Sequence, residues 1–210
     1  MRYKYPRTYH LPFSPGLQND DRLIETLGGL IGQEVIVTEK MDGENSSLYR
    51  DGFHARSLDS RHHASRDWLK KFHGEIAYKI PGGWRICGEN MFAMHSIYYS
   101  DLLSYFYGFS IWDDRNVALS IDDQNYWFHE LGIVQPKTFY KGIFNLKVLH
   151  DLADSLDPIH QEGFVVRVTG EIPFEDFGTK LAKWVRKGHV QTDEHWMSKP
   201  IIQNTLRSER

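Results

Sequence analysis

The chain has 210 residues, with 25 Lys and Arg against 28 Asp and Glu for a formal net charge of −3. That length suits one large domain with a real core, and the balance argues against gripping nucleic acid through overall positive charge. Twelve Phe, 11 Tyr and 6 Trp within 40% apolar residues make the chain globular with an aromatic core, not disordered. The one cysteine, Cys87, excludes an internal disulfide and a cysteine-based zinc site and suits a reducing cytosol. No apolar run reaches the length of a membrane span, and the N-terminus lacks the unbroken apolar stretch of a signal peptide. The reading is a soluble, cytoplasmic protein with no membrane partner.

In chain order, Pro6, Pro12 and Pro15 predict an extended segment over residues 1–18. Leu23, Ile24, Leu27 and Ile31 recur at helical spacing behind Asn19 or Asp20, so a helix is expected over 20–31, ended by Gly32 and feeding a strand at 34–40. A second helix is expected over 65–79, with Trp68, Leu69, Phe72 and Ile76 on one face, and a third over 145–156. Strand-like runs fall at 84–89, 105–112, 163–168 and 180–186. Without regular βα alternation the pattern reads as α+β with mainly antiparallel sheets. No linker or repeat divides it, so one domain is expected over 1–210, with a short tail at 188–210 and no separate C-terminal domain.

Basic residues gather in two islands, Arg50, Arg56, Arg61, Arg66, Lys70 and Lys71, then Lys180, Lys183, Arg186 and Lys187. Such islands suit phosphates, or are solvated faces. The chemistry-bearing stretch is Thr38-Glu39-Lys40-Met41-Asp42-Gly43-Glu44-Asn45. A lysine leaving a buried strand becomes a nucleophile when desolvation or neighbouring cations lower its pKa, and Gly43 lets the backbone turn sharply. Alone the tetrad is also compatible with a charged hairpin turn; the ordered polar positions that follow raise it. These are Arg56, the run Ile86-Cys87-Gly88-Glu89-Asn90, the aromatic run Tyr105 to Trp112, Gln161-Glu162-Gly163-Phe164-Val165, and Lys180 to Lys187.

Together these motifs, from about Val35 to Lys187, resemble the covalent nucleotidyltransferases: ATP-dependent RNA and DNA ligases and GTP-using mRNA capping enzymes, and among them RNA ligases. The resemblance implies an α+β, ATP-grasp-like adenylation domain with ATP in a groove between its sheets. It implies that Lys40 attacks the α-phosphate of ATP and holds AMP as a lysyl-AMP phosphoramidate, which passes to a 5′-phosphate and is released when a 3′-hydroxyl attacks. It gives Glu39 the adenine edge, Asp42 a sugar or phosphate-side contact, Asn45 a phosphate-side or substrate role, and Arg56 a phosphate or nucleic-acid end. Arg61, His62 and His63 are weaker candidates for substrate contact.

By the same resemblance Glu89 accepts from the ribose hydroxyl, Phe109 stacks on the purine with Phe106 in reserve, and Glu162 helps place Mg²⁺ or Mn²⁺. Gly108 is expected to leave room beside the flat ring. Lys183 contacts the α-phosphate, and the motif departs from the usual K-x-K because Val185 stands where a second lysine is expected. Lys180, Arg186 or Lys187 are the candidates to substitute. Asp113 and Asp114 read as the start of a turn, and His189, Asp193, Glu194 and His195 as a polar surface segment rather than a metal site. The implied substrate is RNA with 5′-phosphate and 3′-hydroxyl ends, in RNA repair. With about two dozen residues after Lys187, either a minimal domain suffices or a protein partner supplies grip on RNA. A DNA ligase or capping-type enzyme would share most of these motifs; outside enzymes, the alternative is a degenerate nucleotide- or RNA-binding module.

Overall fold

The structure is a computed structural model that describes residues 1–19, 21–188 and 200–207. The segment His189, Asp193, Glu194 and His195 lies outside them. The described residues form eleven strands and four α-helices: β1 (Tyr9–His10), β2 (Glu34–Lys40), β3 (Glu44–Tyr49), β4 (Gly52–Ala55), α1 (Asp67–Ile76), β5 (Arg85–Asn90), β6 (Phe106–Trp112), β7 (Val117–Ala118), α2 (Ile121–Leu131), β8 (Thr138–Ile143), α3 (Leu146–Ser155), β9 (Gly163–Val168), β10 (Ile172–Pro173), α4 (Phe177–Lys180) and β11 (Leu181–Val185). The strands form two sheets, in the orders β1-β11-β9-β2-β8 and β10-β7-β6-β5-β3-β4. Every pairing is antiparallel except β1 with β11, which is parallel. The α+β reading from the sequence holds.

Strand β2 sits inside the first sheet, so its Glu-Val-Ile-Val run is apolar on both faces: Val35, Ile36 and Val37 are all buried. It ends at Lys40, and the chain crosses through Met41, Asp42 and Gly43 into β3 of the second sheet. Lys40 therefore stands at the seam between the sheets. The main core carries residues of both, with Val35, Val37, Phe164 and Val166 from the first and Cys87 and Trp112 from the second. A second cluster, including Leu69, Ile76, Phe106, Ile111 and Phe128, seats α1 and α2 on the second sheet.

The helices near 65–79 and 145–156 form as expected. The first is α1 with a 3-10 turn at each end. The second is α3, whose Asn145 side chain caps the amides of Lys147 and Val148.

The helix expected over 20–31 does not form. Leu23 bridges His10, residues 28–33 run in turns, and Leu23 and Ile31 are exposed. Two adjacent glycines, Gly28 and Gly29, weaken a helix by about 1 kcal/mol each relative to alanine. At Gly29 a Cβ would overlap the Thr179 carbonyl, so the segment is shaped by close packing rather than by its period. Conversely, α2 was hidden by a polar, aromatic sequence. Its signals are terminal: Ser120 caps the Asp123 amide, and Gly132 ends it in the left-handed conformation, φ 64°. Lys180 belongs to α4 rather than to the last strand, which begins at Leu181.

Gly163 opens β9 between Lys40 of β2 and Val185 of β11. A Cβ there would overlap the Trp184 carbonyl oxygen. Gly163→Ala is therefore expected to destabilise the fold by about 2–3 kcal/mol, read from the denaturant midpoint. Gly170→Ala, where nothing lies within 4 Å of the added carbon, serves as the silent control.

Candidate active site

The groove between the sheets holds a cavity of about 630 Å³, within the range of small-molecule sites. The first sheet supplies its wall in rows across three strands. Thr38, Val165 and Lys183 are aligned partners in one row, and Ile36, Arg167 and Leu181 in the next. Of these, Thr38, Val165, Lys183, Arg167 and Leu181 line the cavity, as do Lys40 and Val185, which flank Gly163. The second sheet supplies Asn45, Glu89 and Phe109, and Glu39, Arg56 and Glu162 complete the sequence-expected set in the lining.

Lys40 Nζ lies 2.6 Å from both carboxylate oxygens of the fully buried Glu162. Burial alone would push Lys40 down, but the negative charges of Glu162, Glu89 and Asp42 outweigh it and hold the amine above its ordinary value. Without a bound substrate, Lys40 is thus an ammonium. Burial, joined by the repulsion of Glu162, pushes Glu89 well above the usual carboxylate range even though Lys40 pulls the other way. Its Oε2 is shut from solvent with no hydrogen-bond partner, as is Asn45 Oδ1. These orphaned acceptors facing the cavity are costly unless a ligand satisfies them.

Phe109 reaches the cavity because β6 carries a bulge. Cys87 pairs with Ser110 and Gly88 with Gly108, which leaves Phe109 as the extra residue. It packs with the main core while Ile111 joins the second cluster, so the two do not share a face as regular alternation would have them do. The ring meets Tyr5 edge-on at 5.0 Å. Phe106 points away into the second cluster. Gly108 does not make room for a ligand ring; a Cβ there would meet Phe128 and Ile133 on the α2 side.

Two expected residues lie outside the lining. Asp42 is fully buried, and its Oδ2 accepts from the Ser96 amide and hydroxyl and the Ile97 amide, fastening the loop behind Lys40. Lys180 pairs with Asp176 at 3.0 Å on α4. Arg56 is exposed on the cavity wall and pairs with neither nearby acid: Asp51 faces Arg2, and Asp59 accepts from Ser57. Arg61, His62 and His63 line the same wall. Glu39 is raised by burial, and its Oε1 accepts from Gln161 at 3.3 Å. Lys187 is exposed, and Asp113 caps its own turn by accepting from the Arg115 and Val117 amides.

Sequence reasoning missed three features of the site. Glu44 and Arg66 form a buried bidentate pair, and Arg66 also binds the Arg61 carbonyl, which pins the basic wall. Tyr5 supports Phe109 from the N-terminal segment. Asp21 binds Lys183 at 3.1 Å and stands 3.0 Å from His10. Nothing periodic marks these residues; only the fold brings them together over long sequence separations.

No group of three or more His, Cys, Asp or Glu side chains that could hold a metal occurs among the described residues. A divalent cation would take Glu162, with Glu89 beside it, and complete its shell from phosphate and water, the habit of Mg²⁺. No helix among the described residues is long and apolar enough to cross a membrane.

Comparison with known proteins now decides the family. The family described as RNA ligase matches residues 33–185. This chain belongs to the RNA ligase family. Curated protein sequences yielded no match. Among solved structures, an archaeal ATP-dependent RNA ligase aligns with a TM-score of 0.59 at 16% identity, over 87% of this chain and 48% of its own. A Naegleria gruberi RNA ligase with PPi aligns at 0.57 and 19% identity, and a mutant of it with ATP and Mn at 0.56 and 18%, each over 87% of this chain and 57% of the other. At these identities the likeness speaks for the fold. The chain spans about half the length of those structures.

Because Glu89 is held above the usual carboxylate range, it favours its neutral form in the folded protein. The sign follows: stability is fully present in acid and is lost as pH rises through the folded value. Glu89→Gln in the ligand-free protein is expected to match the wild type near pH 4 and exceed its melting stability by about 1 kcal/mol at pH 8. Thermal melts across that range check it.

Proposed function

We propose that this member of the RNA ligase family is an ATP-dependent ligase that works through a lysyl-AMP intermediate on Lys40. The observation that carries the reading is Lys40 itself: a half-buried lysine at the seam of two sheets, opening on a cavity of about 630 Å³ and held by one buried carboxylate. In the proposed first step Nζ attacks the α-phosphorus, a nitrogen–phosphorus bond forms, and the bond to the β-phosphate oxygen breaks as pyrophosphate leaves. AMP then passes to a 5′-phosphate, and a 3′-hydroxyl displaces it. All three steps are phosphoryl transfers, dominated by positioning and charge stabilisation.

A divalent cation, Mg²⁺ or Mn²⁺, held by Glu162 with Glu89, would offset charge on the phosphates. The chain's own residues do the rest. Lys40 gives up its ammonium proton to solvent once Glu162 is otherwise engaged, because burial and the nearby positive charge of Lys183 then favour the neutral amine. Phe109 gives the purine a stacking face opposite Val165 and Leu181, and Glu39 meets its edge. Glu89 accepts from the ribose, which satisfies its orphaned oxygen. Asn45 faces the phosphate side, and Lys183 meets the α-phosphate. Asp42 acts by holding the loop behind Lys40.

The proposed acceptor is RNA. Arg56, with Arg61, His62 and His63 beside it, forms a basic wall for a 5′-phosphate end. Lys180, engaged by Asp176 and outside the cavity lining, is not assigned to a phosphate.

The test is intact mass after incubation with ATP and Mg²⁺, with GTP in parallel. An AMP adduct is expected with the wild type and none with Lys40→Ala, and Lys183→Ala should form it at least about 100-fold more slowly. Joining of 5′-phosphorylated RNA and DNA strands then separates the substrates, with RNA expected to be sealed faster. A GMP adduct would point to capping-type chemistry, and no adduct from folded, AMP-free protein would point to a binding module.

A further inference from the structure

Strand β11 carries both ends of a closed chain of polar contacts. The Val185 amide donates to Ser14 Oγ at 2.9 Å, and Ser14 Oγ lies 2.7 Å from His10 Nδ1. His10 Nε2 stands 3.0 Å from Asp21 Oδ2, and Asp21 Oδ1 accepts from Lys183 Nζ at 3.1 Å. The path leaves the backbone of Val185 and returns two residues away at the Lys183 side chain. Every intermediate member comes from the N-terminal segment.

Ser14 Oγ accepts from the Val185 amide, shares a hydrogen bond with His10 Nδ1 and lies 3.4 Å from the Val185 carbonyl. The Nε2 contact with Asp21 is short but not aligned for a hydrogen bond. His10 is 1% exposed, and burial together with the Lys183 charge pushes it down to about 4, so it is neutral at physiological pH. Asp21 Oδ2 also accepts from the Gln18 amide. The backbone supports the same arrangement: His10 binds the Arg22 carbonyl and the Ile24 amide, and β1 places His10 opposite Lys183.

Resting on the reading of Lys183 as the cation at the α-phosphate, we infer that Asp21 is a positioning residue that aims Lys183, held itself by the Gln18 amide with neutral His10 packed against it. A free lysine side chain gives up considerable rotamer freedom when fixed. Here that ordering precedes substrate. Val185 stands beside Lys183 in the lining, so one cation serves where the family pattern has two, and its aim matters correspondingly. Asp21 takes one of the three ammonium protons and leaves two for phosphate oxygens.

The test has two arms. The first compares rates of AMP-adduct formation for Asp21→Ala, Asp21→Asn, Lys183→Ala and the double variant Asp21→Ala with Lys183→Ala. Asp21→Ala is expected to be about 10-fold slower at saturating ATP, with the half-saturating ATP concentration changed less than about 2-fold. Asp21→Asn, which keeps one acceptor and guards against misfolding of the alanine variant, should recover part of the loss. The double variant should be no slower than Lys183→Ala alone; independent, multiplying losses would overturn the inference.

The second arm needs no activity. Acetic anhydride labelling of Lys183 at fixed neutral pH is read by peptide mass spectrometry. The charges facing Lys183 are Lys40, Asp21 and Glu162, with neutral His10 behind Asp21. Removing Asp21 both frees the amine and favours its neutral form, so labelling should quicken about 3- to 10-fold. Unchanged labelling would sink the inference even in an active ligase. If the wild type forms no adduct while labelling quickens as expected, the ligase reading fails and the Asp21 contact stands.

Discussion

The organisation of this molecule depends on one ion pair, Lys40 with Glu162, made 122 residues apart across the β2–β9 pairing. A buried pair of this kind adds little stability over apolar packing, because desolvation consumes most of its Coulombic gain. Its presence is better understood as a requirement of the site. Two sheets meet here, the chain crosses between them at Gly43, and both Gly43 and Gly163 are tight enough that an added Cβ would strike backbone. The framework puts a lysine where water is scarce and then supplies a counter-charge so that it can be kept there.

That arrangement sets opposite demands on one nitrogen. Three carboxylates hold Lys40 protonated at rest, while nucleophilic attack needs the free amine. Burial, with repulsion from the neighbouring carboxylates, holds Glu89 above the usual carboxylate range, and acceptors on the cavity-lining residues Asn45 and Glu89 are left unsatisfied. On the proposed function, polyanionic substrate and its cation would therefore enter a site whose charges are already mismatched. Binding can relieve the mismatch, and the resting lysine is protected from adventitious acylation meanwhile.

Much of this was legible in the sequence because the residues concerned lie at strand ends, where local pattern and chemistry coincide. Lys40, Glu89 and Glu162 each sit at the edge of an apolar run, and the structure brings all three to one cavity. Phe109 also reached it, though by a bulge that alternation does not encode. Reading failed where local period competed with packing. The apolar spacing of residues 23–31 suggested a helix, yet Gly29 presses on the Thr179 carbonyl and His10 takes the backbone groups of Arg22 and Ile24. Asp21 was passed over for the same reason: its partners are 11 and 162 residues away, and no spacing rule reports such pairs.

The pairing of β2 with β9 also bears on how the protein acquires its chemistry in time. Contacts this distant in sequence carry a heavy loop-closure cost and form late, after local hairpins and helices. Until β9 docks, Lys40 ends a solvated strand, fully charged and no different from any surface lysine. The cavity that presents Lys40 is consequently a property of the finished fold alone. On the proposed function, competence to react with a nucleotide would double as a report that the long-range topology has closed.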